Sequence, residues 1–429
     1  MLDILRKSLV GTALGIVMAA VLMTGVAKAE VTIQVTYAYA VNYKPVTEEI
    51  ATRFMAQHPG IKVEIRNPAV SYEKLAQDLL RDKITNTIPD VAFNGINQLG
   101  LFVEQKLAVA LDDYVKADGG AEKLGYAPAL AALGKQDGKL YGIPFAISTP
   151  VVYVNLDLLS QAGVDVNSLT NWPAILAAGQ AIDSKVGAPV SGFYFEWDQT
   201  GNWLFQALIT ANGGNILTND QCDIAFDSPA GMTALKIFES FPKAGMKNLG
   251  QTPARQAFVA GNIGILASSS SQGANVERMI GDKFKMKTLV FPVGAHNPRL
   301  PSGGAMAMML STDKERQKAA WEFVKFSTGA EGQTIMGKGT GYTPVNQVAI
   351  NTPELLGDFY KQFPNRATPL EQLPILTQWV SYPGSNSLKM IEVIKGHTES
   401  LVNGSKTAEQ TMPALVRDMR SLLPKCGAK

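Results

Sequence analysis

The 429-residue chain is poor in charge, cysteine and histidine. Only 18% of its residues are Asp, Glu, Lys or Arg, and 39 basic side chains nearly cancel 37 acidic ones. Neutralising a phosphate backbone takes a clustered surplus of Lys and Arg, so the balance argues against a nucleic-acid partner. Two cysteines, Cys222 and Cys426, supply neither a four-thiolate zinc site nor a disulfide framework. The three histidines, His58, His296 and His397, stand far apart in sequence, so no metal site and no cofactor are expected. The motifs H-E-x-x-H, G-x-S-x-G and C-x-x-C do not occur. One near match, Gly332 to Lys338, has the spacing of a phosphate-binding loop, but Gly339 stands where Ser or Thr must hold magnesium.

Apolar residues, at 46% of the chain, are plentiful, and the length suits two globular units. The first 29 residues read as a leader rather than as fold. Arg6 and Lys7 form a positive start, Leu9 to Val26 an apolar run, and Ala27-Lys28-Ala29 a small-x-small cleavage site. A cleaved signal peptide directs the chain to the periplasm, where an oxidising environment permits Cys222 and Cys426 to pair. Loss of the leader removes Arg6, Lys7, Lys28 and Asp3, leaving 36 side chains of each sign.

From Val31 onward, segments of period 2 and period 3.6 alternate. Val31, Ile33 and Val35 mark a strand, and Val46, Ile50 and Phe54 a helix that stops at His58-Pro59-Gly60. Ile61, Val63 and Ile65 mark a second strand, Leu75, Leu79 and Leu80 a second helix, and Asp90 to Phe93 a third strand. This βαβαβ order predicts parallel pairing, with ligands bound beyond the carboxyl ends of the strands, in the loops after Val35, Ile65 and Phe93. A second unit begins near Tyr141 to Pro150. It continues with a strand over Val151 to Asn155, a helix entered through Asn171 over Trp172 to Ile182, and a strand over Ile263 to Leu266 that runs into Ser268 to Ser271. Helices are expected over Lys314 to Phe326 and Ala414 to Leu423.

Asp112 and Asp113 read as a helix start, and Glu196 and Asp198, flanking Trp197, as hydrogen-bonding groups of an extended segment. A secreted carbohydrate-active enzyme using Glu196, Asp198 or Asp112 is the alternative from another functional class. Prominent among the remaining residues are aromatics and small polar groups at loops. A sugar or polyol needs both, rings for its C–H faces and hydroxyl, amide or carboxylate groups for its hydroxyls. Trp172 and Trp321 read as core, and Tyr72 as lying opposite the Leu75 and Leu79 face of its helix.

The order of several short stretches resembles the extracellular solute-binding proteins of ABC importers, the group that includes maltose-binding and glycerol-3-phosphate-binding proteins. They are Ile88-Pro89-Asp90-Val91, Lys139 to Phe145 leading to Val152-Tyr153-Val154-Asn155, Ala257 to Gly261, Gly303-Gly304-Ala305, Ala320 to Phe326, and Thr340 to Val345. The resemblance implies an α/β, type II two-lobe periplasmic binding protein, each lobe a mainly parallel sheet flanked by helices, with the ligand cleft between the lobes. Lobe 1 would comprise 30–145 and 305–338, and lobe 2 146–304 and 339–429. The chain would cross near Phe145 to Thr149, Ser302 to Ala305 and Gly337 to Pro344. The implied function is capture of a small polyhydroxylated solute, of sugar, polyol, glycerol-phosphate or glycerophosphodiester type. A monomer would deliver it to membrane permease subunits without turnover.

Ser148-Thr149-Pro150, the serines after Leu266, and Gly303-Gly304 with Gly341-Tyr342 are most similar to the glycerol-3-phosphate-binding branch. Carried over by position, Tyr72, Ser148, Ser270, Gly304 and Tyr342 fall where that branch holds its ligand. Asn94 and Asn97 replace its acidic residue after the Pro89-Asp90 strand. Its phosphate-binding arginine, expected near Lys389 to Ile391, is absent, leaving Lys389 as the cation. Trp197 and Trp203 are the candidate stacking residues.

Overall fold

The structure, a computed structural model, describes residues 30–425. The expected leader, residues 1–29, and Cys426 lie outside the described residues.

The βαβαβ order predicted from Val31 onward forms as expected. Strand β1 (Val31–Tyr37), helix α1 (Ala40–Gln57), β2 (Ile61–Ile65), α2 (Tyr72–Thr85) and β3 (Val91–Gly95) follow one another. β1 pairs in parallel with β2, Val31 opposite Ile61, and with β3, Val35 opposite Val91. α1 buries Tyr43, Val46, Ile50 and Phe54 on one face, and His58, in non-helical geometry, ends it. β4 (Ile143–Ser148) completes this first sheet, with a late strand, Gly303–Met309, inserted between β3 and β4. The chain then crosses at Thr149, so residues 146–148, and likewise Gly303 and Gly304, lie in the first sheet rather than the second.

The second sheet is built from β5 (Pro150–Asn155), β6 (Ser191–Phe195), β7 (Ile263–Ser269) and β8 (Met286–Val290), in the order β8-β5-β7-β6. Gly303–Met309 is β9. Both sheets are mixed rather than mainly parallel: β9 runs antiparallel to β3 and β4, and β5 antiparallel to β7 and β8. The reason is the crossings. A strand arriving from the other lobe starts at the cleft and must run away from it, against β1 and β3, which end there.

Each lobe has an aromatic core. Phe93 stacks on Phe145 with ring centroids 3.9 Å apart in the first, and Trp172 packs edge-on to Phe195 and Phe291 in the second. Trp172 opens α3 (Trp172–Lys185), whose amino end is capped by Asn171 accepting from Ala174 N at 3.0 Å, as the sequence predicts. Trp321, buried in the helix Lys314–Thr328, donates to Asp118 Oδ2 at 2.7 Å. The C-terminal helix runs over Ala408–Arg420, six residues earlier than expected. A reciprocal capping box between Thr407 and Gln410 starts it ahead of Pro413. Gly332 to Lys338 lies within the helix Ala330–Gly339, which removes the phosphate-loop geometry. Cys222 is disulfide-bonded. Among the described residues no helix is long and apolar enough to cross a membrane.

Candidate functional site

Strand ends from both sheets converge on a cavity of about 1010 Å³ between the lobes. Of the three loops singled out at the carboxyl ends of the first strands, those after β1 and β2 line it, through Tyr39 to Asn42 and Pro68 to Glu73. The loop after β3 does not.

The first wall is a set of tyrosines. Tyr39 sits between β1 and α1 with left-handed backbone angles, φ 57° and ψ 68°, which turn its ring toward Tyr72. Few residues other than Gly, Asn or Asp occupy this region without cost, so the fold around Tyr39 holds it there. The two rings meet edge to face, centroids 4.9 Å apart. Tyr72 begins α2 just after its cap, Ser71, and its hydroxyl lies 2.9 Å from that of Tyr43, which stacks on Tyr342 at 5.1 Å. Tyr72 shares the buried face of Leu75 and Leu79 rather than opposing it, because spacings of three and four residues return to the same side of a helix. Burial pushes the phenols of Tyr39, Tyr43 and Tyr72 up, and neighbouring Glu73 (for Tyr39) and Tyr342 add to the effect. All three therefore remain neutral hydroxyls.

The second wall starts from helix α4 (Trp203–Ala211), the helix α5 (Gln251–Val259) and the end of β7. Trp203 Nε1 donates to Pro301 O at 3.0 Å, and its ring lies 6.3 Å from that of Trp379. Gly201 permits that pair: its φ is 59°, and a Cβ there would meet Trp379 Cζ2 at 2.6 Å. The serine run divides by role. Ser269 and Ser271, with hydroxyls 2.9 Å apart, line the cavity, while Ser270 Oγ turns back to accept from Thr149 N at 3.0 Å. The floor is backbone. At Gly304, φ is 110° and a Cβ would fall 2.0 Å from Ala146 O, so glycine is required there. The walls touch at the mouth, where Thr200 Oγ1 donates to Glu73 Oε1.

Charge in the cavity is concentrated on the second wall. Arg255 on α5 donates from Nε to Glu196 Oε1 at 2.5 Å and from Nη2 to Glu196 Oε2 at 2.7 Å. Glu196, just past β6, is fully buried and also accepts from Gln199, so neither of its oxygens is offered to the cavity. Burial alone would lower the Arg255 pKa, but the Glu196 charge and its hydrogen bonds outweigh this and raise it. Asp198, Glu73, Glu392 and Lys395 are the other charged lining residues.

Of the residues expected from sequence, the structure brings Tyr72, Ser148, Trp203, Gly304 and Tyr342 together in the lining. The other five lie outside it. Asn94 is buried in the first sheet with Oδ1 accepting from Gly95 N. Asn97 is buried behind the lining, its Nδ2 3.2 Å from where a Gly201 Cβ would stand. Trp197 points away, donating to Asn248 Oδ1 at 3.2 Å, while Asp198 lines the cavity; the segment expected to be extended turns here, Trp197 N donating to Phe195 O and Gln199 N to Glu196 O. Ser270 is occupied by Thr149, as above. Lys389 is exposed on the helix Ser387–Val402, whose Leu388, Ile391, Glu392 and Lys395 line the cavity instead. Sequence reasoning missed Tyr39, Arg255 and Trp379. Tyr39 falls in a loop that the strand-end rule had singled out. Arg255 and Trp379 gave no local signal.

Residues 49–368 match the model of the bacterial extracellular solute-binding protein family, and the chain belongs to that family. It is 24% identical over 307 residues to the sn-glycerol-3-phosphate-binding periplasmic protein UgpB of Rhizobium meliloti, covering 69% of this chain and 71% of that protein. Among solved structures it is similar to UgpB of Mycobacterium tuberculosis in complex with glycerophosphocholine. The TM-score is 0.82 at 21% identity, over 91% of this chain and 98% of that one. It is also similar to the cyclic α-maltosyl-1,6-maltose binding protein of Arthrobacter globiformis, with a TM-score of 0.75 at 20% identity, over 92% and 99% of the two chains. These likenesses establish the type II two-lobe binding-protein fold.

Proposed function

We propose that the protein is the periplasmic substrate-binding component of an ABC importer, exported through a cleaved leader and acting as a monomer. It captures a small polyhydroxylated solute, of sugar, polyol, glycerol-phosphate or glycerophosphodiester type, and hands it to membrane permease subunits without chemical turnover. The observation that carries this reading is the composition of one cavity. The rings of Tyr39, Tyr72, Trp203, Tyr342 and Trp379 interleave there with the hydroxyls of Ser148, Ser269 and Ser271 and the amides of Gln272 and Asn275. Rings cover the C–H faces of such a solute, and the hydroxyls and amides take its O–H groups. Solutes of this kind are named for the relatives, glycerol-3-phosphate and glycerophosphocholine for the UgpB proteins and a cyclic maltosaccharide for the Arthrobacter protein.

The carbohydrate-active alternative needs a carboxyl group that can exchange a proton with substrate. Glu196 has both oxygens committed to Arg255 and Gln199, which supports binding without hydrolysis. A thermal-shift panel of mono- and disaccharides, polyols, glycerol-3-phosphate and glycerophosphocholine tests the reading, followed by calorimetry and product analysis on each hit. A ligand at 100 times its dissociation constant adds about 2.7 kcal/mol of stability, a readily measured shift. Stoichiometric binding with the ligand recovered intact is expected. Appearance of a cleaved product would overturn it.

A further inference from the structure

The cavity of a protein whose relatives include glycerol-3-phosphate binders contains a guanidinium, yet a buried carboxylate already balances its charge. Among the described residues the cations lining the cleft are Arg255 and Lys395. Arg255 is the residue type that suits phosphate, but its Nε and Nη2 edge grips Glu196 at 2.5 and 2.7 Å, so an anion would meet a guanidinium whose charge is already balanced. Arg255 is 23% exposed at the cavity wall, whereas the Glu196 side chain behind it is 0% exposed. The asymmetry decides which way the pair works. Arg255 reaches solvent and ligand. Glu196 has only Arg255 and the Gln199 amide to balance its charge. Were Arg255 to turn to a ligand phosphate, a carboxylate would be stranded in the interior, at a cost that a partly solvated phosphate contact does not recover.

The other charges reinforce this. Asp198 lies on the same wall as Arg255, and Glu73 faces it from the other. Lys395 follows Glu392 by three residues on the same helix, so an acid accompanies it, and an ammonium is a point charge without a fork. The backbone explains why Glu196 is placed to do this. Its N–H donates to Ala267 O at 3.0 Å, which prolongs β6 by one residue beside β7 and aims the side chain at α5.

We infer that Glu196 sets the charge selectivity of the cleft: it cancels the charge of Arg255 among the acidic residues of the lining, so the site takes polyhydroxylated solutes without net negative charge and refuses phosphomonoesters. This rests on the solute-capture reading above and narrows it. Glu196 is a positioning residue, acting through Arg255 rather than touching the solute.

The test has two arms. In the first, the wild-type protein is titrated with matched pairs, glycerol against glycerol-3-phosphate and glucose against glucose-6-phosphate, with zwitterionic glycerophosphocholine alongside. The uncharged or zwitterionic members are expected to bind more tightly. Tighter binding of either phosphomonoester overturns the inference. In the second, inorganic phosphate is titrated into wild type, Glu196→Gln and Glu196→Asp. Freeing Arg255 in E196Q should raise phosphate affinity at least tenfold. E196D, which keeps the charge, should retain the wild-type refusal, and E196Q/R255Q should lose the gain. A folded E196Q no better than wild type toward phosphate overturns the inference. Should E196Q fail to fold, the matched pairs decide. Silence of the wild type toward every pair counts against solute capture itself. The phosphate response of E196Q needs no knowledge of the solute and still decides the role of Glu196.

Discussion

The first wall of the cleft carries its polar groups on the aromatic rings of Tyr39, Tyr72 and Tyr342, backed by the buried Tyr43. The second carries them on a buried ion pair and a run of serines at a strand end. Burial keeps the hydroxyls of Tyr39, Tyr43 and Tyr72 neutral. Glu196 and Arg255 offset one another through direct contact. A wall of rings is insensitive to the charge of what it meets, whereas a wall with an internal ion pair is sensitive to anything that could compete for either partner.

The largest expected effect tests the internal asymmetry of the second wall. Arg255→Gln leaves a fully buried carboxylate unpaired and should cost about 3–5 kcal/mol in urea unfolding. Glu196→Gln leaves a guanidinium that can reach the cleft and should cost clearly less; equal costs would mean that the pair is symmetric. On the floor that joins the walls, Gly304→Ala forces a Cβ to 2.0 Å from Ala146 O at a φ of 110°, and a loss of about 3 kcal/mol is expected from strain and clash.

A smaller effect separates two similarly buried tryptophans. Trp203→Ala should weaken solute binding more than tenfold, or about 1.4 kcal/mol, while Trp197→Ala, outside the lining, should leave it within about twofold. Calorimetry on both variants checks this, and a matching loss in W197A would defeat the assignment of the lining.

An effect confined to alkaline pH concerns the tyrosines of the first lobe. Burial, with Glu48 nearby, pushes the Tyr37 hydroxyl up to about 12, and burial does the same for Tyr126. In the unfolded chain these phenols ionise near pH 10, so above that pH the unfolded state binds fewer protons than the folded one. Stability is complete below about pH 10 and falls by up to about 1.4 kcal/mol per pH unit for each such tyrosine between pH 10 and 12. Tyr37→Phe should flatten the slope, and tyrosinate absorbance read against unfolding would show it.

Much of the frame was legible because its signals are local. Val31, Ile33 and Val35 alternate as a strand must, Asn171 caps the helix it precedes, and the βαβαβ order fixes parallel pairing of the first three strands. The mixed pairing that follows was not legible, since it depends on which sheet a returning segment joins. The site divides on the same line. Tyr72 was placed by the family resemblance, and Tyr39, though missed, lies in one of the strand-end loops singled out from the sequence. Arg255 and Glu196 lie 59 residues apart and Trp379 178 residues beyond Gly201, and only the folded chain brings them together. Lys389 and Lys395 show the limit from the other side. Both are cations on one helix, and helical phase alone decides which lines the cavity.

The glycine floor has a consequence for how such a protein changes over time. At Gly303 a Cβ would meet Ser148 Oγ at 2.5 Å and Trp203 Cζ2 at 2.8 Å, and at Gly304 the Ala146 carbonyl at 2.0 Å. The base of the cleft is therefore written in main chain, with no side chain available to mutation. New solute preferences are open to substitution in the walls and closed at these two floor positions.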